Sequence, residues 1–177
     1  MGFFLKVDFD ALYRDHYVRV FGLCLRMLRG RAQAEDATQE VFVRAYRALD
    51  RYDTRQPFAA WVLGIAGNHC VDLIRRRARE PRLFGDPDAE VAGLESEAPE
   101  PPDALVDAER GEELHAAIAA LPDKYRLPLV LTYYNEWSYD QVAAELGITR
   151  NHVGVLLLRA RRSLRRALAA SPEESRR

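Results

Sequence analysis

The residues from Glu35 to Arg79 constrain the fold most, because they hold two amphipathic helical patterns separated by a short polar loop. In the first pattern, apolar residues repeat at intervals of four, which predicts a packed stripe. These residues are Ala37, Val41, Ala45 and Leu49. Asp36, Gln39 and Glu40 lie three or four residues apart and share a different face of the same helix. Such a face suits docking on a partner, although a merely solvated face would show the same pattern.

The loop from Tyr52 to Gln56 leads into Pro57, which suits the first turn of a helix because proline has no N–H to leave unpaired there. The helical pattern that follows begins with aromatic residues and ends with arginines. This order suits a single strand of nucleic acid, because bases stack on aromatic rings and arginines bind phosphates. A core helix whose basic end offsets the helix dipole explains the pattern equally well. The residues concerned are Phe58, Trp61, Ile65, Asn68, Arg75, Arg76, Arg77 and Arg79.

The order of these pieces resembles region 2 of bacterial RNA polymerase sigma factors of the sigma-70 family, and most closely the small extracytoplasmic-function (ECF) subfamily. The matching run is D-x-x-Q-E-x-F, an aromatic loop, and then F-x-x-W-x-x-x-I-A-x-N-x-x-x-D-x-x-R-R-x-x-R. The resemblance implies a surface that docks on the clamp coiled coil of core RNA polymerase, formed by Asp36, Gln39, Glu40 and Phe42. It also implies that an unstacked base of the −10 promoter element is captured by Tyr52, Arg55, Phe58, Ile65 and Asn68. The nearby DNA backbone would be held by Arg75, Arg76 and Arg79.

The chain as a whole is predicted to be all-α, because no segment shows sustained period-2 alternation with β-branched residues. The first helix is expected over Asp8 to Leu28 and to end at Gly30. Arg31 is expected to begin a short connection to the next helix. Three amphipathic helices would pack as a bundle over residues 8–80. Residues 81–106 contain five prolines and seven acidic residues, which favours a flexible acidic linker to a second helical domain over residues 107–170.

The second domain contains a predicted helix-turn-helix. Ser138 and Gln141 have the spacing of a capping box, Gly147 stands at the turn, and Thr149 can cap the next helix. In this layout the second helix enters the major groove, and its first residues meet the edges of the bases. Six arginines and no acidic residue follow between Leu146 and Ala170, which suits phosphate contacts. An ordinary pair of packed helices joined by a glycine turn remains the alternative.

The segment from Ala116 onward resembles region 4 of sigma factors, with the runs A-I-x-x-L-P-x-x-x-R, S-Y-x-x-V-A-x-x-L-G-I and R-A-R-x-x-L-R-R. The resemblance implies that this domain reads the −35 promoter element as duplex DNA. Gly154 stands where many relatives place a polar or basic residue, so the −35 sequence cannot be carried over from the family. Glycine offers no side chain for a base contact, so readout would shift to neighbouring residues, or the backbone would approach the groove closely there. The implied DNA contacts are Arg150, Asn151, His152, Val155, Arg159, Arg161 and Arg162.

The resemblance therefore implies a promoter-specific transcription initiation factor whose partners are core RNA polymerase, promoter DNA and an anti-sigma factor. No catalytic motif, cofactor motif or metal-ligand spacing is present, so an enzyme is not expected. Cys24 and Cys70 lie in apolar helical patterns and are expected to be core residues. The chain has neither a membrane-spanning apolar run nor a signal peptide, so no membrane insertion and a cytoplasmic location are expected. The alternative is a stand-alone transcription factor, such as a dimeric repressor whose N-terminal bundle dimerises or binds a ligand.

Overall fold

The computed structural model describes residues 8–77 and 108–170. Within these ranges the chain forms α-helices and one short 3-10 helix but no strand, which confirms the all-α prediction. The predicted linker at 81–106 lies outside the described residues. The helices are α1 Phe9–Leu28, α2 Arg31–Arg47, the 3-10 helix Leu49–Arg51, α3 Phe58–Arg77, α4 Ala108–Ala120, α5 Asp123–Tyr133, α6 Tyr139–Leu146 and α7 Arg150–Ala170.

The chain divides into two compact units, Met1–Leu73 and Ile74–Arg177. The bounds that the sequence predicts for the two domains, 8–80 and 107–170, stay predictions. Among the described helices, none combines the length and the apolar character that a membrane-spanning segment needs.

The junction between α1 and α2 differs from the sequence prediction. Asp8 caps α1 by accepting a hydrogen bond from the backbone N–H of Ala11 at 3.2 Å. At the other end, Arg29 and not Gly30 adopts the left-handed conformation, with φ of 68°. Gly30 is extended and serves as the N-cap of α2, which begins at once at Arg31. The expected connection is therefore part of a helix.

The first unit is a bundle in which α1 packs along α2, and α1, α2 and α3 all supply apolar side chains to its core. Each helix buries residues spaced three or four apart, as the helical period requires. The buried side chains include Val20, Leu23, Met27, Ala34, Ala37, Val41, Ala45, Val62, Ala66 and Val71. Cys24 and Cys70 are also buried, which confirms their expected place in the core.

In the second unit, α7 packs against α4, α5 and α6. The most buried segment is in α5, where every residue from Arg126 to Leu131 is buried. Arg126 is only 2% exposed, and its charge is met by Asp123, with Nη2 at 2.6 Å from the carboxylate. Its Nη1 also donates to the backbone oxygen of Leu121 at 3.2 Å. A buried arginine needs such partners, because an unpaired charge is costly to remove from water.

Candidate nucleic-acid interface

The polar face predicted on α2 lies at the surface. Asp36 and Gln39 are exposed, and Glu40 is partly exposed. Nε of Arg44, one turn further along, donates to Glu40 Oε1 at 2.7 Å. This hydrogen bond lowers the pKa of Glu40 below the ordinary value of a carboxyl group. The face therefore carries ionised acid at neutral pH and can meet a basic partner surface.

Phe42 does not lie on that face, which corrects the prediction that it belongs to the docking surface. Its side chain is only 3% exposed, and its ring packs on Tyr13 of α1 with centroids 4.6 Å apart. The reason is the helical period, because Thr38, Phe42 and Ala45 repeat at i, i+4 and i+7 and are all buried. We therefore assign Phe42 to the packing of α2 on α1.

The loop before α3 is built around three aromatic rings. The ring of Tyr52 lies 4.9 Å from Trp61 and 5.5 Å from Phe58, and the last two rings are 5.5 Å apart. The Tyr52 hydroxyl donates to the backbone oxygen of Gln56 at 2.6 Å, which ties the two ends of the loop together. Phe58 is buried against His16 of α1, so it forms the floor of the cluster. The rings partly open to solvent are Tyr52 and Trp61.

Trp61 belongs to the matched run but is not among the residues implied to contact the −10 element. Its position on α3 places it on the same face as two of those residues. Trp61, Ile65, Asn68 and Asp72 follow one another at i, i+4, i+7 and i+11, so they share one face of the helix. That face becomes more open along the helix, because Trp61 and Ile65 are partly buried and Asn68 and Asp72 are exposed.

The last turn of α3 carries the basic end of this face. Arg75, Arg76 and Arg77 are all exposed, whereas Arg79 lies outside the described residues. We name the surface formed by Tyr52, Trp61, Ile65, Asn68, Arg75 and Arg76 the α3 face. Along this face, partly exposed aromatic rings are followed by an amide and then by guanidinium groups. This is the chemistry that an unpaired nucleotide strand requires, with stacking at one end and phosphate binding at the other.

Arg55 lies at the tip of the loop and is held by the loop itself. Its Nη2 lies 2.7 Å from Asp53 Oδ2, and its backbone N–H donates to Asp53 Oδ1 at 3.0 Å. The hydrogen bond from the Arg55 side chain lowers the pKa of Asp53, and Asp53 raises the pKa of Arg55 in return. The Arg55 side chain is 88% exposed, so a phosphate can reach it from solvent.

The helix-turn-helix in the second unit has the predicted local geometry. The Ser138 hydroxyl accepts from the N–H of Gln141 at 3.3 Å, and the Gln141 side chain accepts from the N–H of Ser138 at 2.8 Å. This confirms the capping box. Gly147 takes the left-handed conformation that ends α6, with φ of 68°. The Thr149 hydroxyl accepts from the N–H of His152 at 3.2 Å and caps α7.

The outward surface at the start of α7 is smaller than predicted. Arg150 and Asn151 are exposed, but His152 is fully buried and Val155 is only 7% exposed. This corrects the prediction that His152 and Val155 lie on the base-reading surface. Because α7 packs against three helices, it buries more than a single stripe. Further along α7, Arg162 is exposed and Arg159 and Arg161 are partly exposed.

Gly154 faces α6, which bears on its unusual place in a recognition helix. A methyl group built on Gly154 would lie 3.9 Å from Cε2 of Tyr139, at an ordinary van der Waals distance. The Tyr139 ring is partly buried, and this burial raises the pKa of its hydroxyl. The Tyr139 ring therefore occupies the space beside Gly154, where a longer side chain would otherwise extend.

Comparison with known proteins matches both helical regions of the chain. Residues 12–80 match the family model of sigma-70 region 2, and residues 111–164 match that of sigma-70 region 4. The chain is 35% identical over 170 residues to the ECF RNA polymerase sigma factor SigW of Bacillus subtilis, covering 91% of this chain and 87% of SigW. It is 34% identical to the ECF sigma factor SigE of Mycolicibacterium smegmatis, covering 95% of this chain and 64% of SigE.

Among solved structures, the sigma factor RpoE of Bartonella quintana, crystallised with the anti-sigma factor NepR, has a similar fold. Its TM-score is 0.61 at 22% sequence identity, and the match covers 92% of this chain and 97% of RpoE. The fold, the two matched regions and the identity to SigW agree with one another. The chain therefore belongs to the ECF subfamily of the sigma-70 family of RNA polymerase sigma factors.

Proposed function

We propose that this sigma factor is a promoter-specific transcription initiation factor that reads promoters with two chemically different surfaces. The proposal rests on the α3 face. There, the partly exposed rings of Tyr52, just before α3, and Trp61 are followed along α3 by an exposed amide and then by exposed arginines. A face of this composition suits a single strand. The helix-turn-helix of the second unit suits duplex DNA. A protein that carries both can hold a closed promoter and stabilise its opened form.

At the −10 element, an unstacked base would be captured beside Tyr52 and Trp61, while Asn68 hydrogen-bonds its edge. Taking a base out of the stack costs a few kcal/mol, roughly the amount that stacking on an aromatic side chain returns. Arg75 and Arg76 would hold the phosphates that follow, and Arg55 would exchange its bond with Asp53 for a phosphate. Promoter melting by this route needs no nucleotide cofactor. We propose that the protein is not an enzyme.

At the −35 element, Arg150 and Asn151 would contact the bases, since they are the exposed side chains at the start of α7. Arginine and asparagine suit this role because each can form two hydrogen bonds with a purine edge. Arg159, Arg161 and Arg162 would bind phosphates along the same helix. Phosphate contacts position the helix in the groove, whereas the two base contacts supply specificity.

We assign docking on core RNA polymerase to Asp36, Gln39 and Glu40 on α2. The ionised Glu40 carboxylate and the exposed side chains of Asp36 and Gln39 support the assignment, because they can pair with basic and polar groups of a partner. We further propose an anti-sigma factor as a regulatory partner, because RpoE, which shares this fold, was crystallised with one. Since core polymerase and promoter DNA are cytoplasmic, we place the protein in the cytoplasm.

The proposal is tested by run-off transcription with purified core polymerase on fragmented genomic DNA, with and without the protein. We expect discrete transcripts that depend on the protein, and their start sites would define both promoter elements. Absence of transcripts together with absence of core binding would overturn the proposal and favour a stand-alone DNA-binding protein.

Two variants test the residue assignments separately. Glu40→Arg should abolish core binding while leaving the circular dichroism spectrum unchanged, whereas Glu113→Arg, a charge reversal at an exposed site on α4, should bind core normally. Equal affinity of the two variants for core would remove the docking assignment. Asn68→Ala should reduce open-complex formation more than duplex binding. If both fall equally, Asn68 has a structural role instead.

A further inference from the structure

Two thiols that play no part in the proposed function touch each other in the core of the first unit. Cys24 lies in the second half of α1, and Cys70 lies in the second half of α3. Their Sγ atoms are 3.7 Å apart, although the residues are 46 positions apart in the chain. Both side chains are fully buried. These are the only cysteines in the protein, so each thiol has the other as its only possible intramolecular disulfide partner.

At this distance the two sulfurs are in van der Waals contact. A disulfide has a sulfur–sulfur length of about 2.05 Å, so the Sγ atoms would have to approach by roughly 1.6 Å. The bond therefore needs only a small local movement of two atoms that are already in contact.

We propose that Cys24 and Cys70 are a redox modification site, at which peroxide forms an intramolecular disulfide that links α1 to α3. Cys24 sulfur attacks one oxygen of hydrogen peroxide, the O–O bond breaks, and one water leaves, so that Cys24 becomes a sulfenic acid. Cys70 sulfur then attacks Cys24 sulfur, the S–O bond breaks, and the hydroxide leaves as water with the proton of Cys70. In total, two thiols and one peroxide give one disulfide and two waters.

The environment of the pair assigns different roles to the two cysteines. The hydrogen bond from Cys70 lowers the pKa of Cys24, which favours its thiolate. The same hydrogen bond, together with burial, raises the pKa of Cys70 well above the ordinary value of a thiol. Because the thiolate is the nucleophile, Cys24 attacks peroxide first and Cys70 resolves the sulfenic acid. Since both thiols are buried, the oxidant reaches them only when the bundle opens locally, so the reaction is slow.

The direct test is oxidation of the full-length protein with hydrogen peroxide, followed by removal of the peroxide, alkylation of the remaining thiols in denaturant and mass measurement. We expect a monomer that has lost two hydrogen atoms, takes up no alkyl group and yields a cross-linked peptide pair containing Cys24 and Cys70. Dithiothreitol should restore two alkylatable thiols. Covalent dimers, sulfinic acid, or two thiols that still alkylate after peroxide treatment would each overturn the proposal.

Two further measurements test the geometry and the assigned roles. If the disulfide fits the folded bundle, oxidation should raise the melting temperature by about 10 °C, because the bond restricts the unfolded chain. A lower melting temperature would show that the bond distorts the fold and would overturn the proposal. Cys70→Ser keeps a hydrogen-bond donor beside Cys24 and removes the resolving thiol, so it should accumulate a sulfenic acid at Cys24 that dimedone traps, and Cys24→Ser should react more slowly with peroxide. The opposite order of reactivity would overturn the assignment of Cys24 as the attacking thiol.

Discussion

Arg150, the first residue of α7, donates from Nη1 to Oδ2 of Asp140 in the first turn of α6 at 2.6 Å. The two side chains are 64% and 68% exposed, so the pair lies in solvent. Exposed ion pairs contribute about 0–1 kcal/mol to stability. The consequence of this pair is therefore mainly orientational, because Asp140 limits the directions in which the proposed base-contacting guanidinium can point.

Asp140→Asn should weaken discrimination between promoters without unfolding the domain. With the carboxylate gone, Arg150 samples more directions, so the affinity ratio for cognate over non-cognate duplex should fall by about 2- to 5-fold. Non-specific affinity should rise, because one negative charge near the phosphates is removed. Fluorescence anisotropy at fixed salt measures both affinities. Glu113→Gln removes an exposed acid from α4 and should leave the ratio unchanged. An equal fall in both variants would contradict the orienting role.

Gly154→Ala should stabilise the second unit by about 1 kcal/mol. Alanine is the better helix former, and its methyl group would meet the Tyr139 ring at an ordinary distance. Gly147→Ala is the matched contrast, because a methyl group there would meet no atom within 4 Å but the φ of 68° disfavours a side chain. That variant should lose about 1 kcal/mol. Chemical denaturation followed by circular dichroism measures both changes. Destabilisation by Gly154→Ala would show that Tyr139 cannot adjust.

Local signals in the sequence predicted local structure well. The capping box at Ser138 and Gln141 and the glycine turn at Gly147 each involve residues close together in the chain, so their geometry follows from spacing alone. The junction at Arg29 and Gly30 was harder, because either residue can end a helix when the next helix starts at once. Their spacing in the sequence therefore does not determine which of the two adopts the left-handed conformation.

Exposure was harder to predict than helix position. Phe42 lies between Val41, which is buried, and Val43, which is exposed, and His152 follows two exposed polar residues, so neither sequence context settles whether the side chain is buried. Both are buried by contacts with other helices, which lie far away in the chain. Trp61 shows the opposite case, because the implied −10 contacts omit it although its ring is partly open beside Tyr52. Burial depends on how many other helices pack against a helix. The apolar repeat within that helix does not reveal this number.

Phe42→Ala should lower the free energy of unfolding of the first unit by about 3–4 kcal/mol, because the lost ring leaves a cavity beside Tyr13. Gln39→Ala, at an exposed position on the same helix, should change stability by less than about 0.5 kcal/mol. Thermal and urea denaturation measure both. Core binding then separates the roles, since Gln39→Ala should weaken it without any loss of stability. A Phe42→Ala variant that is as stable as the parent protein would contradict the packing assignment.

The loop between the 3-10 helix and α3 should lose order as the pH falls. The side chain of Arg55 lowers the pKa of Asp53 in the folded protein, so their bond is present above the unfolded pKa of Asp53 and is lost as the pH falls through the lowered folded value. Carboxyl-carbon NMR titration measures this pKa directly. Arg55→Gln should raise the pKa of Asp53 toward its ordinary value, so the loop should loosen at a higher pH. Arg51→Gln, at an exposed arginine of the 3-10 helix, should leave the titration of Asp53 unchanged. If Arg55→Gln also leaves it unchanged, the lowered pKa has another origin.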